Sequence, residues 1–205
     1  MVAQAPPYPL TFSVDYPDRE LNRVTTGFRL ILALPLLILL ALFGRPHLGG
    51  YPIGGPGLIL FLPVLALLVL RQKYPRWWFD FNLQLLRLTA RVDSYLFLLR
   101  DEYPSVDDQQ AVQLEVVYPD AKNDLNRWLP LVKWLLAIPH YIVLIFLDIA
   151  AVVVAIVAWF AILFSGRYPR GMFDFVVGVL RWNLRVTAYA FLLVTDRYPP
   201  FSLAP

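Results

Sequence analysis

A mainly α-helical membrane protein built from two pseudo-symmetric copies of one unit is what the sequence predicts, and three observations carry that prediction. The first is an internal repeat. Tyr74-Pro75-Arg76-Trp77-Trp78-Phe79-Asp80-Phe81 returns as Tyr168-Pro169-Arg170-Gly171-Met172-Phe173-Asp174-Phe175, and the register holds at an offset of 94 through Arg87 and Arg181, Arg91 and Arg185, and Tyr95 and Tyr189. The second is composition: of 205 residues 59% are hydrophobic and 16% charged, with a mean hydropathy of +0.57, a balance that points to lipid. The third is pattern. Long apolar runs alternate with segments whose polar residues fall on one narrow helical stripe.

Each unit opens with a short strand. Leu10, Phe12 and Val14 alternate with Thr11, Ser13 and Asp15 before Tyr16-Pro17; Val112, Leu114 and Val116 alternate with Gln113 and Glu115 before Tyr118-Pro119. Two lone strands are barely stable, so they are expected to pair with each other or to pack on the helices. Both are followed by an acidic, turn-prone segment ending in Leu21-Asn22-Arg23 or Leu125-Asn126-Arg127, now at an offset of 104.

An apolar helical hairpin comes next, over 30–70 in the first unit and 134–164 in the second. Leu30–Phe43 and Leu58–Leu70 are apolar runs of 14 and 13 residues joined by the Gly-rich stretch Gly44–Gly57. A 14-residue helix reaches only about 21 Å against roughly 30 Å of hydrocarbon, so the hairpins either recruit flanking residues to span or enter one leaflet as a wedge. The offset falls from 104 to 94 across the second hairpin, which puts the missing residues at its turn and Asp148 at or near the tip. One continuous helix from Trp134 to Phe164 is the competing reading, in which Asp148 lies near mid-membrane; Leu147-Asp148-Ile149 has no Gly or Pro to turn on.

Each unit ends in an amphipathic helix, over 76–100 and 170–195. Asp80, Gln84, Arg87 and Arg91 follow i, i+4, i+7, i+11 spacing, as do Asp174, Gly178, Arg181 and Arg185, which predicts a helix in the membrane interface with its stripe toward headgroups or protein. The repeats divide the chain into 1–104 and 105–205. With two hairpins, Arg45 alone lies on the far side and the other 17 basic residues share the near side, so the termini and the 103–119 linker are expected in the cytoplasm.

Several chemistries are disfavoured. A formal charge of +3 is too small to imply nucleic acid, cysteine is absent, and His47 and His140 have no carboxylate at ligand spacing, so no metal, cofactor or catalytic constellation is expected. Met1–Pro9 lacks the plan of a cleaved signal peptide. The Gly-rich stretch is not a phosphate loop, since it lacks the Lys-Ser/Thr ending.

The candidate contact residues are the arginine pairs Arg87 with Arg91 and Arg181 with Arg185, together with Trp77 and Trp78. Like charges one turn apart repel, which points either to an anionic partner such as lipid phosphate or to internal pairing with Asp80, Asp174 or Asp93. Trp77, Trp78, Trp128 and Trp134 read as interfacial anchors. Asp148 is either a turn residue that reaches water or an intramembrane acid in a proton or cation path. His140 reads as a satisfied membrane histidine, and Arg76 with Asp80 and Arg170 with Asp174 as exposed i, i+4 pairs.

Phe160-Ala161-Ile162-Leu163-Phe164-Ser165-Gly166-Arg167-Tyr168-Pro169-Arg170-Gly171 and Asp196-Arg197-Tyr198-Pro199-Pro200-Phe201-Ser202-Leu203, with Ala137-Ile138-Pro139-His140 before them, resemble the DUF4389 family. The second copy is covered almost fully. The first is looser: Arg76-Trp77-Trp78 stands where the second has Arg-Gly, and Leu34-Pro35-Leu36 lacks the histidine. The resemblance implies a small bacterial membrane protein and brings no activity with it; the expected location is the bacterial cytoplasmic membrane. The expected function is therefore that of a non-enzymatic accessory or scaffold subunit, with membrane lipids and other membrane protein subunits as partners and a homo-oligomer left open. The alternatives are a stand-alone lipid-binding or membrane-shaping protein and, behind it, a small transporter.

Overall fold

The computed structural model describes residues 8–42, 57–105, 108 and 110–205. Strands β1 (Leu10–Val14) and β2 (Val112–Val116) pair antiparallel with Phe12 opposite Leu114 at the centre. Their alternation buries Leu10, Phe12, Val14, Val112 and Leu114 and leaves Thr11, Ser13, Gln113 and Glu115 exposed. A two-stranded sheet has too little pairing to stand alone. This one is held by the helices beneath it.

Those helices are α1 (Arg23–Leu42), α2 (Gly57–Arg71), α3 (Arg76–Leu96), α4 (Lys133–Leu136), α5 (Ile138–Ser165) and α6 (Arg170–Ala190), with a 3-10 turn at Leu129–Leu131. The two amphipathic segments are α3 and α6, each ending a few residues before its predicted limit. They form a middle layer rather than an interfacial one, because both of their faces are covered. The sheet covers one face. On α3 the opposite face packs Leu85, Leu88 and Val92 against Leu40 of α1; on α6 it packs Trp182, Val186 and Tyr189 against Ala137 and Leu144 at the start of α5.

Outside that layer lie α1, α2 and α5. α1 and α5 run antiparallel, with the Trp159 indole N–H donating to the Thr26 carbonyl at 3.2 Å. Both are long and apolar enough to cross a membrane by length and composition. Their outer faces are apolar and exposed: Val24, Phe28, Ile31, Leu34, Ile38 and Leu42 on α1, and Ile142, Phe146, Ile149, Val153, Ile156, Phe160 and Phe164 on α5. The molecule is thus layered, with a polar sheet surface on one side and an apolar helical surface on the other.

The second hairpin is the main correction. α5 is one helix of 28 residues, so the hairpin predicted over 134–164 has no turn at Asp148, which sits in mid-helix. Without Gly or Pro at 147–149 nothing interrupts the helix, and the two apolar stretches on either side of Asp148 run as one rod. Pro139 then falls in the first turn of α5, where proline is tolerated, while Pro35 lies inside α1. α1 begins at Arg23, because Asn22 Oδ1 accepts the N–H groups of Val24 and Thr25 at 2.9 and 3.2 Å and caps the helix. The predicted Gly-rich connector, with Arg45 and His47, lies outside the described residues.

The strands cross between the halves. β1 packs on α6 and β2 on α3, so each sheet strand rests on the helix of the other half. The Tyr16 hydroxyl donates to the Tyr168 carbonyl and the Tyr118 hydroxyl to the Tyr74 carbonyl, which fixes each crossing where the amphipathic helix begins. The guanidinium of Arg170 lies 4.6 Å from the Tyr16 ring centre, and that of Arg76 lies 4.7 Å from Tyr118.

Candidate functional site

The arginine stripes face the sheet. Arg181 and Asn183 are two residues apart, about 200° around a helix, so the first meets β1 while the second meets α5. Arg181 donates from Nε to the Phe12 carbonyl at 3.0 Å and from a terminal nitrogen to the Leu203 carbonyl at 2.9 Å. Arg87 does the same on α3, from Nε to the Leu114 carbonyl at 2.9 Å. Phe12 and Leu114 are the central pair of the sheet, so one arginine from each helix holds the strands at their midpoint. Arg91 donates to the carbonyls of Ser105 and Asp108, and Arg185 to that of Ser202 at 3.4 Å. The internal partners of these cations are therefore backbone carbonyls. The carboxylates that the spacing offered go elsewhere: Asp80 to Arg76 at 3.6 Å and Asp174 to Arg170 at 3.8 Å, both pairs exposed.

Electrostatics differ between the two arginine pairs. Burial lowers the pKa of Arg91, the Arg87 charge lowers it further, and the Asp108 carboxylate opposes both. Burial lowers the pKa of Arg185 too, helped by the Arg181 charge; the Tyr8 phenol opposes the shift, and no carboxylate does.

Sequence reasoning missed a second pair of sites. Arg29 on α1 is buried, donating to the carbonyls of Tyr95 and Arg100 at 3.0 and 3.1 Å and to the Asp101 carboxylate. Lys133 on α4 is likewise buried, donating to the Thr195 carbonyl at 2.8 Å and pairing with Asp196 at 2.6 Å. Asp101 also accepts the Asn22 N–H at 2.7 Å, and Asp196 the Asn126 N–H at 2.5 Å. Asn126 Oδ1 likewise accepts two N–H groups, those of Trp128 and Leu129 at 2.9 and 3.3 Å, at the entry to the 3-10 turn. Burial lowers the pKa of Lys133, against the pull of Asp196. The one available signal was that Arg29 and Lys133 share the 104 offset inside apolar runs. Their carboxylates lie one residue out of the 94 register and carried no such signal.

Asp148 accepts the Asn183 side-chain amide N–H at 2.7 Å and is half-buried between α5 and α6. His140 is fully buried: its Nδ1 accepts the Trp182 indole N–H at 3.1 Å and its ring stacks on Phe201 with centres 4.0 Å apart. The histidine sits within an aromatic cluster but is only half satisfied, because its Nε2, which carries the proton when Nδ1 accepts, has no acceptor among the described residues. Trp77 is 68% exposed and Trp78 half-buried, their rings edge to face. Trp128 and Trp134 are exposed, the first just before the 3-10 turn and the second on α4. Among the described residues, no group of three His, Cys, Asp or Glu could hold a metal ion.

Residues 128–202 match the family model described as domain of unknown function DUF4389. The match begins at the 3-10 turn and takes in the Lys133–Asp196 pair, α5, α6 and the His140 cluster. No curated protein and no solved structure matches the chain.

Proposed function

We propose that the chain is a non-enzymatic scaffold embedded in one leaflet of a bacterial cytoplasmic membrane, with α1, α2 and α5 in the lipid and the sheet surface turned to the cytoplasm. One observation carries this reading: the exposed apolar side chains of α1 and α5 form one outer layer, on the side of α3 and α6 opposite the polar sheet. An upright α5 is the alternative. Arg181 ties β1 to the middle of α6, and Asn183 ties the same stretch of α6 to Asp148 at the middle of α5. Turning α5 across the bilayer would carry the sheet, with exposed Thr11, Ser13, Gln113 and Glu115, to mid-membrane depth, where open sheet edges have no hydrogen-bond partners. An α5 lying in the plane of the leaflet avoids that cost. It also suits a helix of about 42 Å, longer than the roughly 30 Å hydrocarbon core.

The same reading treats the chain as two copies of one unit, supported by the matching bonds at Arg29 and Lys133, Asn22 and Asn126, Arg87 and Arg181, and Tyr16 and Tyr118. The scaffold's charges serve the fold, and its exposed surfaces are left to lipid and to other subunits. Gentle solubilisation followed by mass analysis tests the role. Co-isolation with defined stoichiometric membrane subunits is the expected result, and purification of the chain alone with lipid refutes it. A second reading, a stand-alone lipid-binding protein, draws on an apolar groove of about 540 Å³ between α1 and α5, lined by Leu30, Leu37, Leu96, Val152, Ile156 and Phe160.

A further inference from the structure

We propose that the cleft between β1 and α6, lined by Arg181, Arg185 and Arg197, is a binding site for a phosphate-bearing anion. The cleft has a volume of about 520 Å³; among the described residues no aspartate or glutamate lines it, and Pro205, the last residue of the sequence, stands on its wall. Arg185 is 4% exposed, and its Nε has no acceptor among the described residues. Its guanidinium donates to the Ser202 carbonyl at the long distance of 3.4 Å, and the Tyr8 ring centre stands 5.9 Å from the guanidinium carbon. Arg181, one turn earlier on the same face, donates only to carbonyls. Among the described residues neither arginine forms an ion pair.

Buried charges in proteins are paired, because an uncompensated one forfeits its hydration for nothing. In the first unit Arg91, at the position matching Arg185, also has no acceptor for its Nε among the described residues, but it donates to the carbonyls of Ser105 and Asp108, and the Asp108 carboxylate favours its charge. In the second unit the matching place is the open cleft, with two positive charges one helical turn apart and Tyr8, Thr11 and Ser13 on its wall. A guanidinium fork with free N–H groups matches phosphate oxygens in geometry as well as charge. The missing counter-charge is therefore supplied from outside, by a phosphate group that is free or carried on a lipid headgroup. The site lies on the sheet side of α6, so it does not depend on how α1 and α5 meet the membrane.

The test uses the full chain in neutral detergent, with thermal unfolding followed in inorganic phosphate against chloride at matched ionic strength, and in vesicles of phosphatidylglycerol against phosphatidylcholine. Phosphate or phosphatidylglycerol is expected to raise the midpoint. Protection by inorganic phosphate assigns a free phosphate group, and protection by phosphatidylglycerol alone assigns a headgroup. Losing one charge-assisted contact of roughly 1.5–3 kcal/mol corresponds to about tenfold to a hundredfold weaker binding, which Arg185→Gln should show. Because Arg185→Gln removes a buried group, Ser13→Asp is the second variant: it places a carboxylate on the cleft wall at an exposed strand position. That variant is expected to melt at or above the parent and to lose the phosphate response. No stabilisation by either probe, or a response that both variants retain in full, overturns the proposal.

Discussion

Replacing Arg29 by Met should be among the most damaging single changes in this protein, and more damaging than Lys133→Met. Arg29 has side-chain exposure of 2% and Asp101 of 9%, so the guanidinium and carboxylate are both out of water. The substitution keeps an apolar stem but strands the carboxylate and removes the donor from the carbonyls of Tyr95 and Arg100. Breaking a buried pair from one side costs about 3–5 kcal/mol. Lys133 loses less, because Asp196 is 23% exposed and water can take over part of its solvation; about 2–3 kcal/mol is the corresponding figure. At roughly 2–4 °C per kcal/mol for a chain of this size, Arg29→Met should lower the melting midpoint in detergent by about 6–20 °C. The double variant Arg29→Met with Asp101→Asn should recover part of the loss, since the amide oxygen can still accept the Asn22 N–H and no charge is left buried. Equal melting of Arg29→Met and the parent, or a double variant worse than the sum of its singles, would show that the pair is not a buried, mutually dependent unit.

Gly178→Ala should loosen the C-terminal segment. A Cβ there would come within 2.9 Å of Leu203 Cβ and 3.0 Å of its carbonyl oxygen, the acceptor of Arg181, so about 1–3 kcal/mol of overpacking outweighs a helix-propensity gain of about 1 kcal/mol; protease cleavage after residue 197 should quicken. Acid sensitivity should map in part to Glu102. Burial pushes its carboxyl up, but the Arg100 and Ala111 hydrogen bonds outweigh burial and hold it below the usual range. A carboxylate depressed in the folded state stabilises above its unfolded pKa of about 4.3, and that contribution disappears as pH falls through the folded value, so Glu102→Gln should flatten the acid limb of the stability curve. Asp148→Asn should leave melting within about 0.5 kcal/mol of the parent, because the amide oxygen can still accept from Asn183, whereas Asp148→Leu strands that donor at a cost of about 1–3 kcal/mol. A large loss in Asp148→Asn would make the charge itself essential.

Local pattern was legible and long-range partnership was not. The alternation at Leu10–Val14 and Val112–Val116 and the apolar runs of α1 and α5 can be read from residues a few positions apart, because strand and helix periods are local properties. The polar stripe on α3 and α6 was equally plain. Its partner was hidden, since Arg181 bonds to Phe12, 169 residues away, and nothing in a stripe tells whether carbonyls, carboxylates or headgroups will face it. Asp148 shows a different limit. The change of offset suggested a turn at Asp148, but a stretch without Gly or Pro continues as helix there, and its acid is met by the Asn183 amide donor of α6. Asn22 and Asn126 stood in a recurring Leu-Asn-Arg whose purpose emerges only when their side-chain bonds and the carboxylates Asp101 and Asp196 are seen together.

The depth of α5 in a bilayer is the most direct measurement on the whole account. Nitroxide labels at Ile142, Ile149, Val153, Val157 and Phe164, all on its exposed face, can be compared for collision with oxygen, which partitions into lipid, and with a water-soluble nickel complex. A helix lying in one leaflet predicts nearly the same depth at all five positions. A helix crossing the bilayer predicts a gradient, deepest at Val153 near the midplane, about 15 Å below either surface of the hydrocarbon core, and shallow on opposite sides at Ile142 and Phe164. That gradient would contradict the one-leaflet scaffold.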